Sequence, residues 1–159
     1  MPCIREACQT YNVDFTVLAS HLGTPVVLLE KMDDIAIRLP EDLRERIESY
    51  VNMRSAMVEE FIRNLDQWLA QMSDTKSPLI FVTYDTEEDF QKSGEDTVHL
   101  TAVTHKDTIA ALARKVKDKG VEIKTVPFNK SSYDAWRGDI KDSGACRSLW
   151  AAARLAGKA

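Results

Sequence analysis

The chain has 159 residues, 44% hydrophobic and 29% charged, which is the composition of a soluble globular protein. No apolar run approaches the roughly 20 residues that a membrane helix needs. The N-terminal segment MPCIREACQ also lacks the basic and apolar regions of a signal peptide, so we expect a cytoplasmic protein. The net charge of −4 is uneven: residues 1–74 hold 7 Lys/Arg and 13 Asp/Glu, against 14 and 12 in residues 75–159. Because phosphate contacts supply most non-specific DNA affinity, the acidic N-terminal half disfavours strong, indiscriminate DNA binding.

Apolar residues at helical spacing predict three short N-terminal helices, over residues 3–11, 15–22 and 25–32. Asp14 is a typical N-cap for the second helix, and Gly23 follows that helix where a left-handed residue is needed. Thr24 suits the N-cap of the third helix, with Pro25 in its first position. Leu29 and Met32 are expected to anchor this third helix, and an extended segment then leads to Pro40.

A long helix is predicted over residues 40–72, because one apolar stripe continues through the whole segment. The stripe consists of Leu43, Ile47, Tyr50, Val51, Met57, Val58, Phe61, Leu65, Trp68, Leu69 and Met72. At 1.5 Å per residue the helix would be roughly 45 Å long, which is more than a small domain covers. It could be a plain core helix, but we favour a helix that pairs two subunits in a homodimer.

The polar break at residues 73–78 is the predicted domain boundary, and strands alternate with helices after it. Strands are predicted over 79–84, 97–103 and 121–126, and helices over 87–92, 106–119, 133–140 and 146–155. This order suggests a small α/β module. The predicted fold class is therefore α+β: an all-α unit (residues 1–39), a connecting helix (40–72) and an α/β module (77–159).

Residues 15–40 resemble the helix-turn-helix of lambda-repressor-like (Xre-type) regulators. Leu18, Ala19, Leu22 and Gly23 fall where that motif needs packing residues and a turn, and Leu29 follows where its third helix needs an anchor. The order of parts is similar to small phage and bacterial regulators of this family, including anti-CRISPR-associated repressors, in which a long helix and a strand–helix–strand pairing module follow. The resemblance implies a homodimeric transcriptional regulator that binds double-stranded DNA.

The resemblance also implies which residues would contact DNA. On the third helix Val26, Val27, Glu30 and Lys31 would face the major groove, while Thr24 and Arg38 could contact phosphates or bases. Two valines cannot donate hydrogen bonds to base edges, and Glu30 repels phosphate.

An apolar face made of Phe15, Val26 and Val27 would suit a protein contact instead. The alternative interpretation is therefore a protein-interaction module, such as an antitoxin-like or phage accessory protein, that uses the same fold without binding DNA.

Other patterns have ordinary structural explanations. The basic residues Arg114, Lys115, Lys117, Lys119, Lys124 and Lys130 are typical of a solvated helix end, although they could form a second contact with the DNA backbone. The acidic residues Asp85, Glu87, Glu88, Asp89 and Asp96 suit helix caps better than catalysis or metal binding. Cys3, Cys8 and Cys146, like His21, His99 and His105, show no metal-ligand spacing. We therefore expect no catalytic activity, no metal and no cofactor.

Overall fold

The computed structural model describes residues 3–35, 39–71, 77–95 and 99–159, and only the backbone of Trp68. The fold is mostly helical with a small parallel sheet, so the α+β class is confirmed at that level. The helices and strands are α1 (Ile4–Tyr11), α2 (Phe15–Leu22), α3 (Val26–Ile35), α4 (Glu41–Gln71), β1 (Leu79–Thr83), α5 (Glu87–Gln91), α6 (Ala102–Val116), β2 (Ile123–Pro127), α7 (Lys130–Arg137) and α8 (Gly144–Leu155), with a 3₁₀ turn at Lys117–Lys119.

The chain divides into two compact units, residues 1–64 and 65–159, and each is described by itself below. In the part of the chain that the structure describes, no helix has the length and hydropathy needed to cross a membrane.

The caps predicted around α2 are confirmed. The Asp14 carboxylate accepts a hydrogen bond from the backbone N–H of Thr16 at 2.8 Å, which satisfies one of the free donors at the start of the helix. Gly23 ends α2 in the left-handed region with φ of 65°. The N–H of Thr24 then donates back to the carbonyl of Ala19, so the chain reverses tightly before α3 begins.

Helix α3 is longer than the sequence predicted. Its start agrees, but residues 33–35 were expected to follow the helix and instead form its last turn. The side chain of Asp33 explains the difference, because it accepts from both the backbone N–H and the Nε of Arg5, at 3.1 and 3.4 Å. Asp33 thereby places a carboxylate at the N-terminus of α1, where the helix dipole favours negative charge. The remainder of the predicted extended segment, residues 36–38, lies outside the described residues.

The long helix predicted over residues 40–72 is confirmed as Glu41–Gln71. Much of its predicted apolar stripe is buried within the single chain, including Leu43, Ile47, Tyr50, Val58 and Leu65. Burial of these residues in one chain favours the plain core helix over the subunit-pairing helix.

Arg54 belongs to the same stripe, and its charged side chain is buried there. Only 7% of its surface is exposed. Its guanidinium donates to the backbone carbonyls of Tyr11 and Asn12 at 2.9 and 3.0 Å. Those carbonyls lie at the C-terminal end of α1, which has no helical partners for them. Arg54 therefore caps α1 with a cation at the end that the helix dipole makes negative.

The sheet of the C-terminal unit pairs β1 and β2 in parallel, with Leu79 opposite Ile123 and Thr83 opposite Pro127. Helices α6 and α8 both contact β1. The third strand, predicted over residues 97–103, is wrong where the structure describes it: Thr101 is the N-cap of α6, and Ala102 and Val103 are its first residues. Residues 97 and 98 of that prediction lie outside the described residues.

Local hydrogen bonding explains why α6 begins so early. Thr101 and Thr104 form a reciprocal capping box, and the carboxylate of Glu87 accepts from the N–H of Ala102 at 2.6 Å. These bonds satisfy the free donors of the first turn, and they outweigh the strand preference of the β-branched residues nearby.

Candidate functional site

Leu29 is the buried apolar anchor of helix α3, and Asp33 also joins the helix to α1 through its hydrogen bonds to Arg5. Of its ten residues, all of which the structure describes, Leu29 alone is buried, with 1% of its surface exposed. Val27 is 59% exposed, Leu28 49%, Met32 36% and Ile35 81%. Leu28, Met32 and Ile35 lie three, four or seven positions apart, so they share one side of the helix, and Val27, eight positions before Ile35, borders that side. We call them the α3 apolar face.

An open groove adjoins the α3 apolar face. Leu28 and Met32 form part of its wall, and its volume is about 410 Å³. The remaining lining comes from the end of α2, the buried side of α3 and the start of α4: Leu22, Thr24, Leu29, Pro40, Asp42, Leu43 and Arg46. The groove is therefore mainly aliphatic, with two opposite charges among its lining residues.

Carboxylates outnumber cations along α3. Glu30 and Asp34 are exposed along one border of the apolar face, whereas the exposed Lys31, four positions from both Val27 and Ile35, lies within it. Asp33 is already occupied by Arg5, with an ion-pair distance of 3.4 Å. The whole N-terminal unit, residues 1–64, carries seven Lys/Arg and eleven Asp/Glu. The surface that α3 offers to a partner is thus apolar, with two exposed carboxylates along one border and one exposed lysine within it.

His21 lies at the end of α2, with its ring centroid 5.0 Å from that of Tyr50. Partial burial, with a smaller contribution from the charge of Arg46, lowers the pKa of His21. The imidazole is therefore neutral at pH 7 and adds no positive charge to this surface.

The residues predicted to contact DNA occupy different environments. Val27, Glu30 and Lys31 are exposed, whereas Thr24 and Val26 are half-buried. Arg38 lies outside the described residues. Phe15, the third member of the expected apolar face, is half-buried, and the guanidinium of Arg5 lies 5.5 Å from the centre of its ring.

Sequence reasoning missed three of the four members of the α3 apolar face. Leu28 was not singled out, Ile35 was expected in an extended segment, and Met32 was expected to anchor the helix although it is exposed. A helical projection centred on Leu29 places Val27 and Ile35 away from the buried side, but it leaves Met32 close to Leu29, so it identifies only part of the face. That projection required the correct end of α3, which depends on the long-range contact between Asp33 and Arg5.

The acidic residues that follow β1 cap helices or form ion pairs. Glu87 caps α6, Glu88 pairs with Lys92 at 2.9 Å, and Asp85 lies 3.9 Å from Lys106. Asp96 lies outside the described residues. Within the described ranges, no group of three His, Cys, Asp or Glu side chains could hold a metal ion.

The densest polar cluster of the C-terminal unit surrounds Arg147, which is 5% exposed. Its guanidinium makes two hydrogen bonds to Asp142, at 3.0 and 2.9 Å, and lies 4.2 Å from the centre of the Phe128 ring. Tyr133 donates to the same carboxylate at 2.6 Å. Hydrogen bonds from Arg147 and Tyr133 lower the pKa of Asp142 to about 2. These groups satisfy one another, as expected of a structural network in a core.

The sequence matches no protein-family model and no curated protein. The function proposed below therefore rests on the geometry and the charges of the N-terminal unit.

Proposed function

We propose that the N-terminal unit is a protein-binding module, and that the α3 apolar face with its adjoining groove holds a basic amphipathic helix of another protein. The observation that carries this proposal is the exposure of four large apolar side chains on a helix of which Leu29 alone is buried. Clustered exposed apolar side chains mark interaction surfaces far more often than single ones do.

The groove beside the apolar face can hold the side chains of a bound helix. A partner helix inserts side chains spaced three or four residues apart into an aliphatic groove, and Leu28 and Met32 provide one wall for them. Burying a large aliphatic side chain contributes roughly 1.5–3 kcal/mol. The α3 apolar face therefore supplies enough apolar surface for specific binding.

The charges select a basic partner. Glu30 and Asp34 lie along one border of the apolar face, Asp42 lines the groove, and the unit as a whole is acidic. Lysine or arginine residues on the polar side of a partner helix would meet these carboxylates, which speeds encounter and disfavours acidic competitors.

Operator binding is the second candidate, and the arrangement of α2, Gly23 and α3 favours it. Leu18 and Leu29 are buried where a helix-turn-helix packs its two helices, and Gly23 has the left-handed turn conformation. In this candidate, which follows the resemblance to Xre-type regulators, α3 of each subunit of a homodimer enters a major groove, with half-sites about 34 Å apart.

The outward side of α3 fits this second candidate less well. Lys31 is its one cation, whereas Val27, Leu28 and Ile35 offer no donors to base edges. Glu30 and Asp34 would approach phosphates of the same sign, which weakens DNA binding. Neither the apolar side chains nor the carboxylates of α3 oppose binding of a basic amphipathic helix.

A labelled amphipathic peptide tests the proposal directly. The probe is about 16 residues long, with leucines at i, i+3, i+4 and i+7 and lysines on its polar side; a matched peptide carries glutamates instead. We expect fluorescence anisotropy to show binding of the basic peptide only, and Leu28→Asp to weaken it at least about tenfold. Leu149→Asp, which changes an even more exposed leucine in the C-terminal unit, is the control and should bind normally.

Charge reversal at Glu30 separates the two candidates, because they predict effects of opposite sign. Glu30→Lys should weaken binding of the basic peptide, since an attractive carboxylate is lost. The same substitution should strengthen binding to an operator, since a group that repels phosphate is removed. A mobility-shift assay on the DNA upstream of the protein's own gene supplies the second measurement. A specific shift that Glu30→Lys enhances, together with no peptide binding, would replace the protein-binding proposal by operator binding.

A further inference from the structure

The two outer edges of the parallel sheet differ in what they offer to another strand. The N–H of Leu79 donates to the carbonyl of Glu122, and the N–H of Phe128 donates to the carbonyl of Thr83. Backbone groups alternate in direction along a strand, so odd-numbered residues of β1 face β2 and even-numbered residues face away. The outward groups of β1 are therefore the N–H and C=O of Ile80 and Val82. On β2 they belong to Ile123, Thr125 and Pro127.

The outer edge of β2 is protected against further pairing. Pro127 has no N–H to offer at the end of that edge, and the strand carries the exposed Lys124. Proline and lysine are residues with which proteins block free strand edges.

The outer edge of β1 has no such protection. Its sequence, LIFVT, contains neither charge nor proline, and within the described residues no strand other than β2 pairs with it.

Strand β1 is also less buried than its sequence predicts. An uninterrupted apolar run in a parallel sheet is normally covered on both faces. Here Leu79, Ile80, Phe81 and Val82 are only half-buried, and Thr83 is the one fully buried residue of the five.

We propose that a second copy of this chain completes the sheet by pairing its own β1 antiparallel to β1, with a two-fold axis at Phe81. In this register Ile80 of one copy and Val82 of the other exchange both backbone hydrogen bonds, and the axis repeats the exchange on its other side. The outward groups of both residues are then satisfied. The result is a continuous sheet, ordered β2, β1, β1, β2 across the two copies.

The outer edge of β1 can pair with the same edge of a second copy because this symmetric pairing brings no like charges together. Residues 79–84 are uncharged, so no side chain on one strand repels its symmetry mate. Phe81 would lie opposite Phe81, and Leu79 opposite Thr83, which are favourable aromatic and aliphatic–β-branched pairs. This interface lies in the C-terminal unit, goes beyond the proposed role of the α3 apolar face and does not depend on it.

Two proline substitutions with matched positions test this interface by sedimentation of the full chain. Val82→Pro removes an N–H that faces away from β2, and Thr125→Pro removes an N–H that faces away from β1. We expect the unchanged chain and Thr125→Pro to sediment at twice the 17.9 kDa mass of one chain. Val82→Pro should raise the dissociation constant at least about 30-fold, because each dimer loses two hydrogen bonds. A monomeric unchanged chain, a Val82→Pro dimer of undiminished affinity, or a Thr125→Pro that is equally monomeric would overturn the proposal.

A cysteine substitution tests the register even if Val82→Pro fails to fold. In the proposed pairing the Cα atoms of Phe81 in the two copies lie about 4.5 Å apart, which is within the range that a disulfide spans. Phe81→Cys, in a chain with Cys3→Ser, should therefore form a disulfide-linked dimer under mild oxidation, whereas Thr125→Cys in the same background should not. No crosslink at position 81, or equal crosslinking at both positions, would overturn the proposed register.

Discussion

Buried arginine side chains hold together parts of the chain that are distant in sequence. Arg54 caps the C-terminal end of α1, and Arg147 joins Asp142 to the aromatic rings around it. Neither is obvious in the sequence, because a charged residue is normally read as exposed. Arg54 nevertheless fills the gap between Tyr50 and Met57 in the apolar stripe of α4. Its position was therefore visible in the helical spacing, although its hydrogen-bond partners were not.

Replacing Arg54 by methionine should destabilise the chain, because the carbonyls of Tyr11 and Asn12 lose their donors while the aliphatic stem is retained. We expect the free energy of unfolding to fall by about 1–3 kcal/mol in a urea titration. Arg63→Met is the control, since Arg63 is exposed on the same helix, and it should change stability by less than about 0.5 kcal/mol. Equal losses in the two variants would contradict the cap.

His105 is a buried base within the aromatic cluster of the C-terminal unit. Its ring centroid lies 5.0 Å from that of Phe90 and 6.1 Å from that of Tyr84, and its Nδ1 has no hydrogen-bond partner within the described residues. Burial lowers the pKa of His105 to about 4. The charged form is thus disfavoured in the folded chain but not in the unfolded one.

Because the pKa of His105 is lower in the folded chain than in the unfolded chain, the free energy of unfolding depends on pH. Between pH 6.5 and about 4 the unfolded chain binds a proton at His105 that the folded chain does not, so stability falls as the pH falls. The loss between pH 7 and 4.5 should be about 2 kcal/mol. Burial raises the pKa of nearby Glu95, which opposes this trend in the same range.

Urea titrations at pH 7 and pH 4.5 measure the contribution of His105. His105→Gln cannot titrate, so it should lose less stability than the unchanged chain when the pH is lowered. His99→Gln, at an exposed position, should behave like the unchanged chain. If His105→Gln retained the full pH dependence, other groups would be responsible.

At the scale of whole elements, local signals predicted the N-terminal helices well and failed where distant contacts decide. Asp14 and Gly23 fixed both ends of α2 because capping depends on neighbouring residues alone. The end of α3 depends on Arg5, which is far away in the sequence. The expected strand over residues 97–103 failed for a related reason, since Glu87 supplies part of the cap that starts α6.

Substituting alanine for two glycines should change the stability of the chain in opposite directions, because the two positions have different backbone requirements. Gly23→Ala should cost about 1 kcal/mol, because φ of 65° is strained for alanine although there is open space for a Cβ. Gly144→Ala should stabilise the chain by a few tenths to about 1 kcal/mol, because Gly144 is the first helical residue of α8 and its Cβ would make only an ordinary contact, 3.9 Å from the Ser93 carbonyl oxygen. Thermal unfolding of both variants measures the difference, and a loss of stability in Gly144→Ala would contradict it.

At the scale of the whole molecule, charge and contacts divide the chain at about the same place. The acidic unit of residues 1–64 carries the α3 apolar face, and the unit of residues 65–159 carries the sheet with the open β1 edge. Composition predicted the difference in charge. It could not predict which apolar residues stay exposed, because exposure depends on how many neighbours each helix finds in the folded chain.

Hydrogen exchange should show that each buried arginine supports its own unit. Arg54→Met should speed amide exchange in α1, whose C-terminal end it joins to α4. Arg147→Met should speed exchange in α7 and α8, where its partners Asp142 and Tyr133 lie between or within the helices. Both variants are compared with the unchanged chain by mass spectrometry. Uniform acceleration along the chain in both variants would contradict this assignment.

Pro127 has a consequence for the size of the assembly. Strands with two receptive edges can add copies without limit and grow into filaments. In the proposed dimer, one edge of the sheet pairs with the second copy and the other edge ends in a residue that cannot donate. Polymerisation by strand addition would therefore stop after the first step, and the assembly would remain a closed pair instead of growing into a fibre.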